Sequence, residues 1–340
     1  MKPKRICIIH LNQIGDLVFS LPLLRALRKS YPDATIHSII RPHLQELLMQ
    51  SPFVDGIIEK KRGLRNVLTL LKSIRDNRYD LLISLSHSQE SLLLAGFSGA
   101  GLKAGFSSFP WDLGLDIKEK IEGHHSCVNN LRLLERLGVN VEKKDYVGLL
   151  ILPSGENKGE SDAPAIPEAN GKYVVISPGT SAKRTVKAWG EEKFADLMIL
   201  LKERYGLSPV IVGGKDNRDV SEKIIGVLRR KDVEEKIKEI ANLTGKMGLT
   251  DLCRVLRGAN LFVGVDSGVM HLASSFDIPV VGIFGPTDPF YVGPLGRKSK
   301  VVREELECSP CYLKGCKKRI CMEKLEVAKV FDACEQVLRT

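Results

Sequence analysis

Twice along its 340 residues the chain alternates short apolar, β-branched runs with amphipathic stretches, and nothing else in it limits the fold so sharply. Arg5–His10 (RICIIH) reads as a buried strand and Leu17–Ser30 as a helix. Thr35–Ile40, Ile57–Lys60 and Asp80–Leu85 read as further strands. Helices fall near His43–Gln50, at Leu64–Asn77 and from about His124 to Leu137, where Gly138 supplies a C-cap. Strands separated by helices predict βαβ units on a parallel sheet. Between Pro153 and Lys172 the pattern stops, and PSGENKGESDAPAIPEANGK has the composition of a linker. It then restarts with strands at Tyr173–Ser177, Pro209–Val212, Leu261–Val265 and Pro279–Phe284. The helices between them are Glu191–Tyr205, Val220–Arg230, Leu249–Arg257 and Ser267–Ser275. A chain of this length fits two domains, each able to bury its own core. The expectation is therefore two doubly wound α/β domains, residues 1–160 and 171–322, facing a central cleft that takes the ligands. Residues 323–340, with a helix at Leu325–Leu338, are free to pack back on either domain, the first included.

Lys and Arg number 51 against 41 Asp and Glu, and this net +10 calls for an anionic partner: nucleic acid, a phospholipid surface or a phosphorylated substrate. Nucleic acid lacks support, with 6% aromatic residues and no recognised binding motif. The longest stretch free of Asp, Glu, Lys and Arg is Ser91–Leu102, twelve residues with three Gly, whereas a spanning helix needs about 20 apolar residues. Lys2, Lys4 and Arg5 ahead of an apolar run resemble a secretory signal. Asn12, Gln13 and Asp16 break that run, and no small-residue cleavage site follows. The expectation is a cytoplasmic protein whose eight cysteines are thiols or metal ligands rather than disulfides.

Three strand-end constellations carry chemistry. At the first strand–helix turn, Gly15 admits a ligand close to the backbone, and Asp16 is either a helix N-cap or a carboxylate able to accept a proton. After the first strand of the second half come Ser177-Pro178-Gly179-Thr180-Ser181 and Lys187-Ala188-Trp189. Hydroxyls, a glycine turn and a lysine before a helix suit an anion; a solvated basic loop with Lys183 and Arg184 is the plainer alternative. In the third, Asp266-Ser267-Gly268 opens a helix with His271 one turn in, a phosphate donor or a satisfied core histidine. The next strand ends in the rigid turn Gly285-Pro286-Thr287-Asp288-Pro289.

Taken together, these runs resemble glycosyltransferase family 9, the bacterial ADP-heptose:lipopolysaccharide heptosyltransferases. The likeness lies in Gly15-Asp16-Leu17-Val18-Phe19-Ser20-Leu21-Pro22-Leu23-Leu24, in Pro178-Gly179-Thr180 with Lys187-Ala188-Trp189, and in Asp266–Ala273 leading to Phe284-Gly285-Pro286-Thr287. The resemblance implies a GT-B fold of two Rossmann-like domains, the first binding the acceptor and the second ADP-heptose. It implies inverting transfer of heptose to a Kdo or heptose of the lipopolysaccharide inner core, an anionic glycolipid met peripherally at the inner face of the inner membrane. Asp16 matches the general base. Gly15, Thr180, Ser181, Lys187, Met247, Asp266, Ser267, Gly268 and His271 match donor-binding positions. Asp216 and Asp219 are alternatives for a ribose contact, and Arg62, Arg65, Lys103 and His124 are candidates for the acceptor. Lysine and helix N-termini suffice for the departing ADP, so catalysis is expected to need no cofactor.

Near the end, Cys308, Cys311, Cys316 and Cys321 pack four thiols into fourteen residues, a spacing open to structural zinc or iron, to reduced thiols or to a redox switch. Cys7, Cys127, Cys253 and Cys334 read as small core hydrophobes. Competing functions are a family 9 transfer to a different acceptor such as a protein hydroxyl, a sugar-nucleotide epimerase on the same scaffold, or a non-catalytic nucleotide-binding protein.

Overall fold

The computed structural model describes residues 2–142, 144–151, 171–179, 182–231, 240–313 and 315–339, with side chains left aside at 182–184. The chain divides into two compact units, Met1–Pro153 and Ser154–Thr340. The first contains β1 (Arg5–Ile9), α1 (Ile14–Ser30), β2 (Thr35–Ile40), a 3-10 turn (Pro42–Leu47), β3 (Gly56–Glu59), α2 (Leu64–Asp76) and β4 (Leu81–Ser84). It continues with α3 (Gln89–Gly96), β5 (Leu102–Phe106), a 3-10 turn (Trp111–Gly114), β6 (Ile117–Glu119) and α4 (Ser126–Arg136). All neighbours run parallel, in the order β3-β2-β1-β4-β5-β6. The expected helix near His43–Gln50 is the 3-10 turn Pro42–Leu47 instead, a segment confined between Pro42 and Pro52.

The second unit begins at β7 (Tyr173–Ser177), a 3-10 turn (Ala182–Lys187), α5 (Glu191–Tyr205), β8 (Ser208–Ile211), α6 (Arg218–Arg230) and β9 (Ala241–Asn242). It closes with α7 (Leu249–Arg257), β10 (Leu261–Val265), α8 (Gly268–Ser275), β11 (Val280–Ile283), α9 (Pro289–Val292), β12 (Ser299–Val302), α10 (Ile320–Glu323) and α11 (Val327–Leu338). Its parallel order, β12-β11-β10-β7-β8-β9, repeats the doubly wound plan of the first sheet. The central strands β7 and β10 are buried at every residue, as a sheet covered by helices on both faces requires.

The terminal helix packs on the second unit. Val330, Ala333, Cys334 and Val337 of α11 join the core formed by β10, β11 and α5, because that stripe is the apolar face of the helix. Cys7, Cys127, Cys253 and Cys334 are buried cysteines, and burial pushes the thiols of Cys7, Cys127 and Cys334 up, that of Cys127 to about 12. No helix among the described residues is long and apolar enough to cross a membrane.

In each sheet the strand order reverses beside the first strand, between β1 and β4 and between β7 and β10. Loops leaving the carboxyl ends of those pairs diverge, and the gap between them is where such sheets bind ligands.

Candidate active site

The first reversal point brings together the loops after β1 and β4. Helix α1 starts at Ile14 with Gln13 in the cap position, so Asp16 is not the N-cap; it is the third helical residue. Gly15 is buried in the same turn. Asp16 lines a cavity of about 200 Å³ together with Leu11, Phe19, Leu85, Phe106 and Ile121. The polar part of the wall is His87, Ser126, Asn129 and Asn130. The Asn130 Nδ2 donates to the Phe19 carbonyl at 3.1 Å, tying α4 to α1 close to Pro22, which cannot complete the helical ladder. Asn129 donates from Nδ2 to the His124 carbonyl at 2.9 Å, while its Oδ1 is buried without a partner.

Behind this turn His10, 1% exposed, bridges α1 and β2. Ser20 Oγ already donates to the Leu17 carbonyl, so His10 Nδ1 donates to Ser20 (2.9 Å) and Nε2 accepts from Ser38 (3.0 Å). Burial pulls the imidazole down to about 3, and it stays neutral.

A second cavity of the same unit, about 420 Å³, is lined by Asn12, Arg41, His43, Lys60, Lys61 and Arg62. Arg41 is braced by donating to Asn12 Oδ1 and to the Lys60 carbonyl, both at 3.0 Å. Lys60 is 1% exposed. Its Nζ donates to Ser91 Oγ at 2.7 Å and pairs with Glu90 at 3.2 Å, and burial lowers its pKa despite that carboxylate. Of the acceptor candidates, Arg62 lines this cavity; Arg65, Lys103 and His124 line neither, and Lys103 is paired with Asp116 at 3.5 Å.

In the second unit the reversal point joins residues 79 positions apart: Lys187, ending the 3-10 turn after β7, donates to Asp266 Oδ2 after β10. Both side chains are buried. Thr287, from the turn after β11, donates to the same carboxylate oxygen at 2.6 Å. Ser267 caps α8, its Oγ buried without a partner, and Gly268 is the first helical residue. Free amides and an unpaired hydroxyl there suit an anion. His271 is buried in α8, and Met247 is half-buried in the loop between β9 and α7. Gly179 tolerates no side chain, since a Cβ would stand 2.5 Å from Asn217 Cγ. Asp216 and Asp219 are both exposed beyond β8. Thr180 and Ser181 lie outside the described residues.

Among the described residues no group of three or more His, Cys, Asp or Glu side chains is arranged to hold a metal ion. Of the readings open for the four thiols, the metal site finds no support among the described residues; Cys321 is buried in the core beneath Gly285, where a Cβ would come within 3.0 Å of its Sγ, while Cys308 is exposed. Burial, with Cys311, Cys308 and Cys316 nearby, raises the Cys321 thiol. This segment buttresses the turn carrying Thr287 instead. Cys311 and Tyr312 amides donate to the Pro286 carbonyl at 3.1 and 2.7 Å, and Ser309 Oγ donates to that of Gly285 at 2.6 Å. Sequence spacing gives no sign of that role.

Residues 67–321 match the family described as glycosyltransferase family 9 (heptosyltransferase). The chain is 29% identical over 297 residues to lipopolysaccharide heptosyltransferase 3 of Escherichia coli K12, covering 82% of each chain. It superposes on the E. coli ADP-heptose lps heptosyltransferase II structure with a TM-score of 0.79 at 21% identity, covering 98% of both chains. E. coli heptosyltransferase WaaC with ADP-2-deoxy-2-fluoro heptose gives 0.72 at 21% identity, covering 98% of this chain and 99% of that one.

Proposed function

Because this chain belongs to glycosyltransferase family 9, the heptosyltransferases, and is a glycosyltransferase of GT-B fold, we propose that it moves heptose from ADP-heptose to an inner-core sugar of lipopolysaccharide with inversion at the anomeric carbon. The first unit takes the acceptor and the second the donor. The Asp16 carboxylate removes the proton from the acceptor hydroxyl as its oxygen forms a bond to the anomeric carbon. The bond from that carbon to the diphosphate oxygen breaks on the opposite face, and the charge passes to ADP.

Before the donor arrives, Lys187 is engaged by Asp266. Diphosphate competes for the ammonium, and Asp266, still held by Thr287, is left to accept hydrogen bonds from sugar hydroxyls. Lys187, Ser267 and the first amides of α8 then meet the leaving-group charge, a role that calls for no metal. Gly15, Met247 and His271 complete the donor contacts, with Thr180 and Ser181 on the phosphate loop. The arginines and lysines of the 420 Å³ cavity suit an anionic acceptor. Such an acceptor is a glycolipid at the cytoplasmic face of the inner membrane, met peripherally. The exposed Phe97, Phe109 and Leu113 of the first unit support that contact.

The observation that carries the reading is Asp16 itself, released from the cap position and lining a cavity at a reversal point. The test is ADP release from ADP-heptose with and without an inner-core acceptor, for wild type and Asp16→Ala. Release should depend on acceptor, and Asp16→Ala should bind donor normally yet lose on the order of 10²–10⁴-fold in rate. Acceptor-independent release sinks the transferase reading, and a fully active Asp16→Ala sinks the base.

A further inference from the structure

The turn Gly285-Pro286-Thr287-Asp288 carries Thr287 to Asp266, and Tyr312 is fastened against that same turn. We propose that Tyr312 is a donor-specificity residue, its ring and hydroxyl meeting the heptose of ADP-heptose beside Asp266. This rests on the second unit binding ADP-heptose.

Two hydrogen bonds fix Tyr312 to the turn. Its amide donates to the Pro286 carbonyl at 2.7 Å, and its hydroxyl accepts from the Asp288 amide at 3.3 Å. Its neighbour Cys311 donates to the same Pro286 carbonyl at 3.1 Å, and Ser309 Oγ holds the segment to the Gly285 carbonyl at 2.6 Å. The Tyr312 backbone is left-handed, with φ 56°, a conformation that a bulky residue keeps only where its surroundings impose it. Core packing does not explain the arrangement, because the residue is 54% exposed. The chain is strained to present an aromatic side chain to solvent, beside the carboxylate that Lys187 and Thr287 hold. Backbone strain of this kind collects at ligand sites.

The surroundings of the phenol select the sugar half of the donor. Burial pushes the Tyr312 phenol up, the Asp288 amide opposes this, and nearby Asp288, Tyr291 and Asp266 add to the rise. The group is therefore a neutral phenol with a proton to donate. Two carboxylates beside it suit sugar hydroxyls and oppose phosphate oxygens, whereas the diphosphate falls to Lys187 and the first amides of α8. A tyrosine joins an apolar ring face to a polar tip, which matches a sugar with C–H bonds on its face and hydroxyls at its edge. Phe290 and Tyr291, edge to face at 5.1 Å, extend the exposed aromatic surface next to it.

The test measures the Kd of ADP and of ADP-heptose by calorimetry, without acceptor, for wild type, Tyr312→Phe and Tyr312→Gly. Wild type should bind both. Tyr312→Phe loses one hydroxyl and should bind ADP-heptose roughly three- to tenfold more weakly, with ADP affinity at the wild-type value. Tyr312→Gly loses the ring as well and should weaken ADP-heptose at least roughly tenfold, again sparing ADP. Glycine takes the left-handed backbone freely, so the thermal midpoint of Tyr312→Gly should stay at or above that of wild type. Unchanged ADP-heptose affinity in Tyr312→Phe overturns this proposal alone. Equal weakening of ADP and ADP-heptose overturns it too, and assigns the ring to the nucleotide. A wild-type protein that binds neither ligand overturns the donor reading and this proposal with it.

Discussion

His10 is held between two serine hydroxyls at the end of β1, and its titration follows from that confinement. Its ordinary value of 6.5 falls to about 3 in the folded chain because burial disfavours the charged ring. The unfolded chain takes up this proton below pH 6.5 and the folded chain does not until about 3. Stability from this residue is therefore complete above 6.5 and erodes as pH falls through that window, by about 2 kcal/mol at pH 5. Urea unfolding at pH 7.5 and 5 should show this loss in wild type and not in His10→Asn; identical pH dependence in the two would refute it. Single residues also mark where sequence reading stops. Asp16, Lys187 and Asp266 stand at strand ends beside glycine turns, where their chemistry is visible. Asn129 sits inside an ordinary amphipathic helix, and its unpaired oxygen exists only once His124 is placed against it. Thr287 lies within the Gly-Pro-Thr turn visible in the sequence, but its bond to a carboxylate 21 residues earlier is set by β10 and β11 being neighbours.

The carboxy-terminal elements are anchored by one side of α5 and the residues before it. Trp189 Nε1 donates to the Leu325 carbonyl at 2.8 Å. The Lys193 ammonium donates to the carbonyls of Met322 and Leu325 at 3.0 and 2.9 Å and to that of Glu323, closing the end of α10 as a cation should. Lys193→Met keeps much of the aliphatic stem and removes the donor, leaving those carbonyls to water. We expect a loss of about 1–2 kcal/mol and faster proteolysis near residues 322–326, with Lys193→Arg intermediate. An unchanged cleavage rate would place the anchor elsewhere. Elements were legible in proportion to their length and burial. Tyr173–Ser177, Glu191–Tyr205, Leu249–Arg257 and Leu261–Val265 stand where periodicity puts them, each long or wholly buried. The edge strands β6, β9 and β12 were not legible: they have two to four residues, mostly half-buried, and owe their extension to the neighbouring strand. Strand β5 (LKAGF) lacks β-branched residues altogether, and its pairing with β4 defines it.

At the scale of the whole molecule the net charge of +10 acquires a direction from an apolar surface on the first unit. Phe97 is 59%, Phe109 79% and Leu113 68% exposed. Glycines explain why they stand together: a Cβ on Gly114 would meet Gly96 Cα at 2.5 Å, so the end of α3 and the Trp111–Gly114 turn lie backbone to backbone. Phe97 and Leu113 are the chain neighbours of those two glycines. Apolar side chains inserted at a bilayer surface and a basic excess drawn to anionic headgroups act together, the second screened by salt. The protein should sediment with anionic phospholipid vesicles at low ionic strength and be partly released at high salt. Phe109 and Leu113 each contribute about 1–2 kcal/mol if their exposed area enters the interface. Phe109→Ser with Leu113→Ser should then weaken vesicle binding at least roughly 30-fold, while ADP release with a water-soluble acceptor stays at the wild-type rate. Equal partitioning of wild type and the double variant would assign the attraction to charge alone and leave the apolar surface without a membrane role.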